Sequence, residues 1–187
     1  LPVKIINGEK EINLLYIDRL INLMISLINN KRKYVGYLEI NGTNKITINK
    51  LYDLITTFSK VQENIFIPSL KSAFNKNIYS TYLSFLPKER FSYDLFDNKD
   101  DRGSFVEFLK TTCSGQVSFF TAKKNVVRGG HFHHSKSEKF LVLSGKASFK
   151  FTKIITKETF SITVSGKKPK VVETIPGWAH NIKNIGN

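Results

Sequence analysis

Several residue types that indicate particular protein classes are scarce in this 187-residue chain. Cysteine occurs once, at Cys113, so the chain can form neither an internal disulfide framework nor a cysteine zinc cluster. No apolar run approaches the ~20 residues that cross a bilayer. The single methionine, Met24, lies well inside the sequence. We therefore expect a cytoplasmic protein without a membrane partner, and we expect the chain to be a C-terminal fragment of a longer protein.

Arginine is also scarce, although the chain is strongly basic. The 29 lysines and arginines outnumber the 15 acidic residues and give a formal net charge of +14. Only five of these bases are arginines, and the lysines are spread along the whole chain. Surfaces that bind nucleic acid cluster their bases and use arginine forks for phosphates and guanines. The charge therefore does not indicate a nucleic-acid partner.

The first half of the chain contains no histidine and no glycine-rich phosphate loop. Apolar residues near helical spacing predict a helix within Glu11–Asn30, with Asp18 as its N-cap. An extended stretch at Tyr37–Ile40 leads into a predicted turn at Asn41–Asn44. A second helix is predicted to run from Thr47, as its cap residue, through Phe58. A third is predicted over Ser69–Phe85. These elements indicate a mixed α/β region that is rich in helix.

The character of the sequence changes after residues 86–98, a polar and turn-rich segment that we interpret as a linker. Residues 99–187 contain short segments rich in Val, Phe, Thr and Ile, separated by Gly, Asn or Lys turns. This spacing favours an antiparallel sandwich or barrel. The predicted strands are Gln116–Ala122, Lys139–Leu143, Ala147–Phe151, Thr159–Val164 and Val171–Ile175.

All four histidines lie in this β-rich region. His131 and His133 stand at i and i+2 of an extended segment, so their side chains face the same side. Glu138 follows shortly after them, and His180 lies beyond a Pro-Gly turn. Lys139 is expected on the face opposite to Glu138. Imidazole and carboxylate ligands suit Zn²⁺, Fe²⁺, Mn²⁺ or Ni²⁺, so the sequence predicts a divalent metal site.

The spacing of these residues resembles the two conserved motifs of cupins, which are double-stranded β-helix or jelly-roll barrels. The motifs read His131-x-His133-x4-Glu138-x6-Gly145 and Pro176-Gly177-x2-His180-x3-Asn184. The chain departs from the family in the leading glycine of the first motif and in the adjacent Pro and Gly of the second. The resemblance implies a C-terminally incomplete cupin domain over residues 99–187. It also implies a bound divalent metal, with Zn²⁺ as the expected ion.

Two further segments, Asp101–Glu107 and Arg128–His131, resemble signatures of the dTDP-4-keto-6-deoxysugar 3,5-epimerases, which are also cupins. Together with Ser137–Val142, they resemble the bifunctional enzymes of capsular polysaccharide synthesis that join a short-chain-dehydrogenase-type reductase to a C-terminal cupin. In that family the cupin epimerises C3 of a UDP-linked 4-keto-6-deoxy-N-acetylhexosamine. The reductase then reduces C4 with NADPH, on the way to UDP-N-acetyl-L-fucosamine. The resemblance implies that residues 1–85 are the end of the reductase domain.

The chain lacks the parts that the reductase chemistry needs. It contains no glycine-rich dinucleotide loop, and none of its seven tyrosines is followed by lysine four residues later. NADPH is therefore expected as a cofactor of the full-length protein only. The cupin chemistry alone can be argued from the residues of this chain.

The resemblance also implies roles for individual residues. Arg102 and Arg128 each precede a glycine in segments where the related epimerases contact nucleotide-sugar, so both are expected to bind substrate. Arg102 could instead form a salt bridge with Glu107. The candidate catalytic residues are His134, as a base, and Glu107, which could orient an imidazole. His131 corresponds to a base in the dTDP-sugar epimerases and to a ligand in metal cupins, and the complete ligand set favours ligation.

Three functions compete for these residues. The first is C3 epimerisation of the UDP-linked sugar, which the motifs favour. The second is a non-catalytic cupin barrel that binds metal or sugar and stabilises a homodimer. The third is an iron-dependent dioxygenase, which depends on the ligand set alone. The sequence predicts the first function, with a UDP-sugar as the partner and a homodimer as the assembly.

Overall fold

The computed structural model describes residues 3–30 and 36–186. The chain divides into two compact units. The first unit holds the described residues up to Asp94 together with Leu109–Gln116, and the second holds Leu95–Phe108 and the described residues from Val117 onward. Within the described ranges, no helix is long and apolar enough to cross a membrane.

The first unit is mixed α/β and rich in helix, as predicted. Its elements are β1 (Glu11–Leu14), α1 (Ile17–Asn29), β2 (Asn44–Thr47), α2 (Ile48–Ser59), α3 (Val61–Asn64), β3 (Phe66–Ile67), α4 (Ala73–Ser84) and a 3-10 turn at Lys88–Arg90.

The helices α2 and α4 begin directly after residues that are preferred as N-caps, whereas α1 does not. Thr47 caps α2 as predicted, because its hydroxyl accepts the backbone N–H of Lys50 at 3.3 Å. Ser72 caps α4, which makes this helix shorter than predicted. The prediction for α1 is wrong: the helix begins at Ile17, and Asp18 lies in its first turn. There the carboxylate interacts favourably with the helix dipole.

A strand that the sequence did not predict precedes α1. The residues of β1 alternate between exposed and half-buried, and they pair antiparallel with β2, with Leu14 opposite Asn44. Asn44 was expected in a turn but lies in β2. The turn prediction is wrong there, and β1 was missed, because this pairing joins residues far apart in sequence, which local spacing does not reveal. Tyr37–Ile40, which was expected to be extended, lies outside the helices and strands.

From Asp97 onward the described chain forms strands only. They are β4 (Asp97–Asp100), β5 (Gly103–Thr111), β6 (Gln116–Phe120), β7 (Val127–His131), β8 (Glu138–Leu141), β9 (Lys146–Lys153), β10 (Thr159–Ser165), β11 (Val171–Thr174) and β12 (Trp178–Asn184). The five strands predicted from the sequence are confirmed as β6 and β8–β11, with ends shifted by one or two residues.

These strands form the jelly roll that the sequence predicted. Four strands pair antiparallel in the order β10-β9-β12-β7, while β8 pairs with β11 and β4 pairs with β5. β6 pairs with β5, and the last residues of β5 pair in parallel with β3 in the first unit. Residues adjacent in space, such as those of β12 and β7, therefore come from distant parts of the sequence.

Alternation along the strands builds the core of the second unit. In β9 the alternate residues Ala147, Phe149 and Phe151 are buried, whereas Lys146 and Lys150 on the opposite face are exposed. Phe149 is 1% exposed, and its ring centroid lies 5.6 Å from that of Phe140. The buried core residues are Ala147, Phe149, Phe151, Val164, Val172 and Ile182.

Replacing Phe149 by alanine is expected to destabilise the second unit by about 3–5 kcal/mol, because the change leaves a cavity in a close-packed core. The matched control is Phe96→Ala, since Phe96 belongs to the same unit but is 79% exposed. Urea unfolding of both variants measures the difference. Equal losses of stability would contradict the position of the core.

Candidate functional site

Three imidazoles converge on one carboxylate oxygen in the second unit. Oε2 of Glu138 lies 3.1 Å from Nε2 of His133, 3.2 Å from Nε2 of His180 and 3.9 Å from Nε2 of His131. Ligand atoms of His131, His133 and Glu138 all lie within 4.8 Å of one another. The structure thus brings together the four residues that the sequence predicted as metal ligands.

Strand alternation directs two of these side chains inward. On β12, His180 and Ile182 are both buried and stand two residues apart. On β8, Glu138 and Phe140 are the less exposed residues, whereas Lys139 points outward and pairs with an exposed carboxylate of β11. The aromatic ring of Phe140 packs against the imidazole of His180, with 5.8 Å between the ring centroids. The polar site is therefore continuous with the apolar core.

A glycine bulge in β7 places Arg128 on the same face as His131. These residues are three apart, so regular alternation would put them on opposite faces. Arg128 instead pairs with Ile182 and His131 pairs with His180, with a register shift between the two pairs. Both intervening glycines have φ of +88°, and a Cβ on Gly129 would lie 3.0 Å from a backbone carbonyl oxygen. Glycine is required here because the bulge needs positive φ and a close backbone approach.

Burial and neighbouring charges shift the pKa values of two residues in the cluster, His180 and Glu138. Burial lowers the pKa of His180, although the carboxylate of Glu138 opposes this effect. Burial raises the pKa of Glu138. Lys136 and the imidazole of His133 together lower the pKa by more than burial raises it, so it lies below its ordinary value. Nζ of Lys136, which the sequence analysis did not identify, is 3.2 Å from Oε1 of Glu138. An ionised carboxylate beside a neutral imidazole is the state that binds metal.

Nε2 of His133 and Oε2 of Glu138 are buried at the centre of the cluster and lie 3.1 Å apart, but neither atom makes a hydrogen bond of acceptable geometry with the described residues. Leaving a buried polar atom unpaired costs about 1–3 kcal/mol. Imidazole nitrogens and a carboxylate oxygen are ligands that Zn²⁺ accepts in tetrahedral geometry. The residues present therefore fit a divalent metal ion, which would satisfy both atoms at once.

Arg102 is held by Asp100, a residue that the sequence analysis missed. Oδ2 of Asp100 accepts hydrogen bonds from Nε and Nη2 of Arg102 at 2.9 and 2.6 Å, and Oδ1 accepts from the backbone N–H of Arg102 at 2.8 Å. These bonds lower the pKa of Asp100 and raise that of Arg102. Aspartate at the first position of a tight turn was the signal for this contact. Glu107, the alternative partner considered for Arg102, lies half-buried within β5.

Arg128 is buried more deeply than Arg102, since its side chain is 13% exposed and that of Arg102 is 59% exposed. Its guanidinium lies over the ring of Phe120, 5.4 Å from the centroid. Nη2 is 3.6 Å from Oδ1 of Asp100, which is too long for a hydrogen bond. In the described part of the chain, neither Nε nor Nη2 of Arg128 has a hydrogen-bond partner. An unpaired buried donor is costly, so an anionic group that reached these two nitrogens would be bound favourably.

The two residues predicted as catalytic have different environments. His134 is exposed, and its ring packs edge-on against Phe132, with 5.0 Å between the ring centroids. The rings of the three clustered histidines contact one another instead. Glu107 neighbours the buried Val106 on β5. The catalytic roles of His134 and Glu107 stay predictions.

Sequence comparison relates the chain to proteins of polysaccharide synthesis. The profile of the polysaccharide biosynthesis C-terminal domain matches residues 98–187. The chain is also 42% identical, over 186 residues, to UDP-2-acetamido-2,6-beta-L-arabino-hexul-4-ose reductase of Pseudomonas aeruginosa. This alignment covers 100% of the chain and 50% of the relative, so the chain spans about half of that protein's length.

Solved structures with the same fold include the capsular polysaccharide assembling protein CapF from Staphylococcus aureus. It is 37% identical, with a TM-score of 0.88, over 99% of this chain and 50% of that chain. CapF with the inhibitor 3-isopropenyl-tropolone gives a TM-score of 0.89 at 37% identity, over 99% of this chain and 54% of that chain. The resemblance to capsular polysaccharide enzymes is thus confirmed. Over residues 98–187 the chain matches the polysaccharide biosynthesis C-terminal domain, and over nearly its whole length it is similar to CapF and to the reductase of Pseudomonas aeruginosa.

Proposed function

We propose that this chain carries the C3-epimerising site of a capsular polysaccharide enzyme that acts on a UDP-linked 4-keto-6-deoxy-N-acetylhexosamine. The observation that carries the proposal is the convergence of three imidazoles on Oε2 of Glu138. The buried guanidinium of Arg128 lies on the same face of the jelly roll. The relative from Pseudomonas aeruginosa is named for a UDP-linked hexul-4-ose. A ketone at C4 is what proton abstraction at C3 requires.

Epimerisation beside a ketone requires the transfer of a proton between two faces of the sugar. The C3–H bond breaks, and its electron pair forms the C3–C4 double bond while the C4 carbonyl becomes an enolate. A proton then returns to C3 from the opposite face, so no oxidant or reductant is consumed. Such a site needs a base, an acid and a group that stabilises the enolate oxygen. It also needs groups that hold the diphosphate in place.

We assign His131, His133, Glu138 and His180 to a divalent metal, with Zn²⁺ as the expected ion. When bound, such an ion supplies a Lewis acid for the charge on the enolate oxygen. His180 offers a neutral imidazole because burial lowers its pKa, and Glu138 offers an ionised carboxylate. The inhibitor in one CapF structure is a tropolone. Its adjacent carbonyl and hydroxyl oxygens form a metal-chelating pair, which supports the assignment.

We assign the diphosphate of the substrate to Arg128 and Arg102. Arg128 offers Nε and Nη2, which have no protein partner among the described residues. Arg102 already gives two guanidinium hydrogen bonds to Asp100, so it contributes mainly positive charge. Asp100 is 3.6 Å from Arg128, and it therefore lies between the two guanidinium groups. A guanidinium fork suits a diphosphate better than an ammonium does.

Glu138→Ala is expected to abolish metal binding, because it removes the one carboxylate that the three imidazoles share. Glu173→Ala is the matched control, since Glu173 is an exposed carboxylate on the neighbouring strand. Elemental analysis of both purified variants and of the wild type measures the metal content. Equal metal in all three proteins would contradict the assignment of the ligands.

Arg128→Lys is expected to weaken the binding of UDP by about 10- to 100-fold, because a charged hydrogen bond contributes about 1.5–3 kcal/mol. Arg102→Lys keeps the positive charge beside Asp100 and is expected to have a smaller effect. Isothermal titration with UDP compares the two variants with the wild type. A larger loss in Arg102→Lys would contradict the assignment of the buried arginine.

The metal-loaded protein is expected to exchange the C3 proton of the UDP-linked 4-keto sugar for deuterium in deuterium oxide, without NADPH. Proton NMR at C3 follows the exchange, and His180→Ala is expected to lose it together with the metal. His134→Ala tests the predicted base, since loss of exchange with full metal content would support that role. Metal-loaded protein that shows no exchange would instead support a non-catalytic barrel.

A further inference from the structure

A buried hydroxyl lies beside the histidine cluster. Thr174 is 2% exposed, and alternation on β11 buries it in the same row as Val172. Valine at position 174 would have nearly the same shape, so packing alone does not require a hydroxyl there. A buried hydroxyl is costly unless it is hydrogen-bonded. Its bonding partner therefore indicates what the hydroxyl does.

The bonding partner of Thr174 is the main chain of Glu138. The two residues face each other across the β8–β11 pair. Oγ1 of Thr174 accepts the backbone N–H of Glu138 at 3.1 Å and donates to its carbonyl oxygen at 3.4 Å. One side chain thus holds both main-chain polar groups of the residue whose carboxylate the imidazoles share. Since β8 begins at Glu138, the contact also determines where the strand starts.

The turn that follows Thr174 contacts a second residue of the cluster. Gly177, with φ of +83°, donates its backbone N–H to the carbonyl oxygen of His133 at 3.3 Å. Its own carbonyl oxygen accepts the N–H of Ile154 at 3.0 Å, which connects the turn to the end of β9. The segment from Thr174 to His180 therefore contacts two of the proposed ligands and contributes a third.

We propose that Thr174 is a positioning residue for the metal centre. Its hydroxyl holds the backbone of Glu138 so that Oε2 lies 3.1 Å from Nε2 of His133 and 3.2 Å from Nε2 of His180. The inference rests on the proposed metal site and adds a residue that acts through the main chain of a ligand. Loss of such an outer contact typically weakens metal binding by about 10- to 100-fold.

Thr174→Val removes the hydroxyl and keeps the shape. The expected result is a rise of about 10-fold or more in the dissociation constant of Zn²⁺. The constant is measured on the full chain by competition with a chromogenic chelator. The visible absorption of bound Co²⁺ is expected to change as well, because it reports ligand geometry rather than stability. Thr174→Ser, which retains the hydroxyl, is expected to restore both properties.

The matched control is Thr111→Val in the first unit. The hydroxyl of Thr111 likewise accepts a backbone N–H, from Ser114 at 2.8 Å, and donates to a carbonyl oxygen, of Gly115 at 3.0 Å. The same chemical change there is expected to leave Zn²⁺ affinity and the Co²⁺ spectrum unchanged. Thermal unfolding of each metal-free variant shows which ones fold. Thr174→Ala replaces the valine variant if the latter does not fold.

Three outcomes decide the proposal. Wild-type protein that binds Zn²⁺, with Thr174→Val unchanged in affinity and spectrum, overturns the positioning role and leaves the metal site intact. An equal loss of affinity in Thr111→Val also overturns it, because the effect would then be general. Wild-type protein that binds no Zn²⁺ overturns the metal site, and the role of Thr174 with it.

Discussion

The polar interior of the jelly roll is organised around one half-buried carboxylate, that of Glu138, whose charge must be balanced by its neighbours. An ionised group withdrawn from water loses several kcal/mol of hydration and must regain it from nearby charges and donors. The two carboxylate oxygens of Glu138 have different compensating partners. Oε1 faces the ammonium of Lys136, while Oε2 faces the imidazoles. The positions of β8, β12 and the bulge in β7 all follow from bringing those groups to one point.

The same strand alternation builds both the apolar core and the polar site. On β12 the inward row runs from Ile182 in the core to His180 in the cluster. The imidazole of His180 contacts the rings of Phe140 and Phe151, with 5.8 and 6.4 Å between ring centroids. A site built against aromatic rings excludes water on that side. Its electrostatic interactions are consequently stronger than they would be on the surface.

Features that depend on local pattern could be predicted from the sequence. Val-, Phe- and Thr-rich segments between turns predicted five strands of the jelly roll, and His131 and His133 were placed on one side by their i and i+2 spacing. Asp100 was missed although its contact with Arg102 is local and has a sequence signal, aspartate at the first position of a tight turn. The strand β1 was missed because its partner β2 is remote in sequence. Long-range pairing has no local signature.

By itself the sequence determined the residue types of the site and five of the strands, because these follow from spacing along the chain, and its motifs carried the resemblance to capsular polysaccharide enzymes. Only the tertiary structure decided which atoms meet. Arg128 shares a face with His131 because a bulge reverses the alternation between them. The hydroxyl of Thr174 meets the main chain of Glu138 because β11 returns beside β8. Such contacts depend on strand register, which is set by the packing of the whole jelly roll.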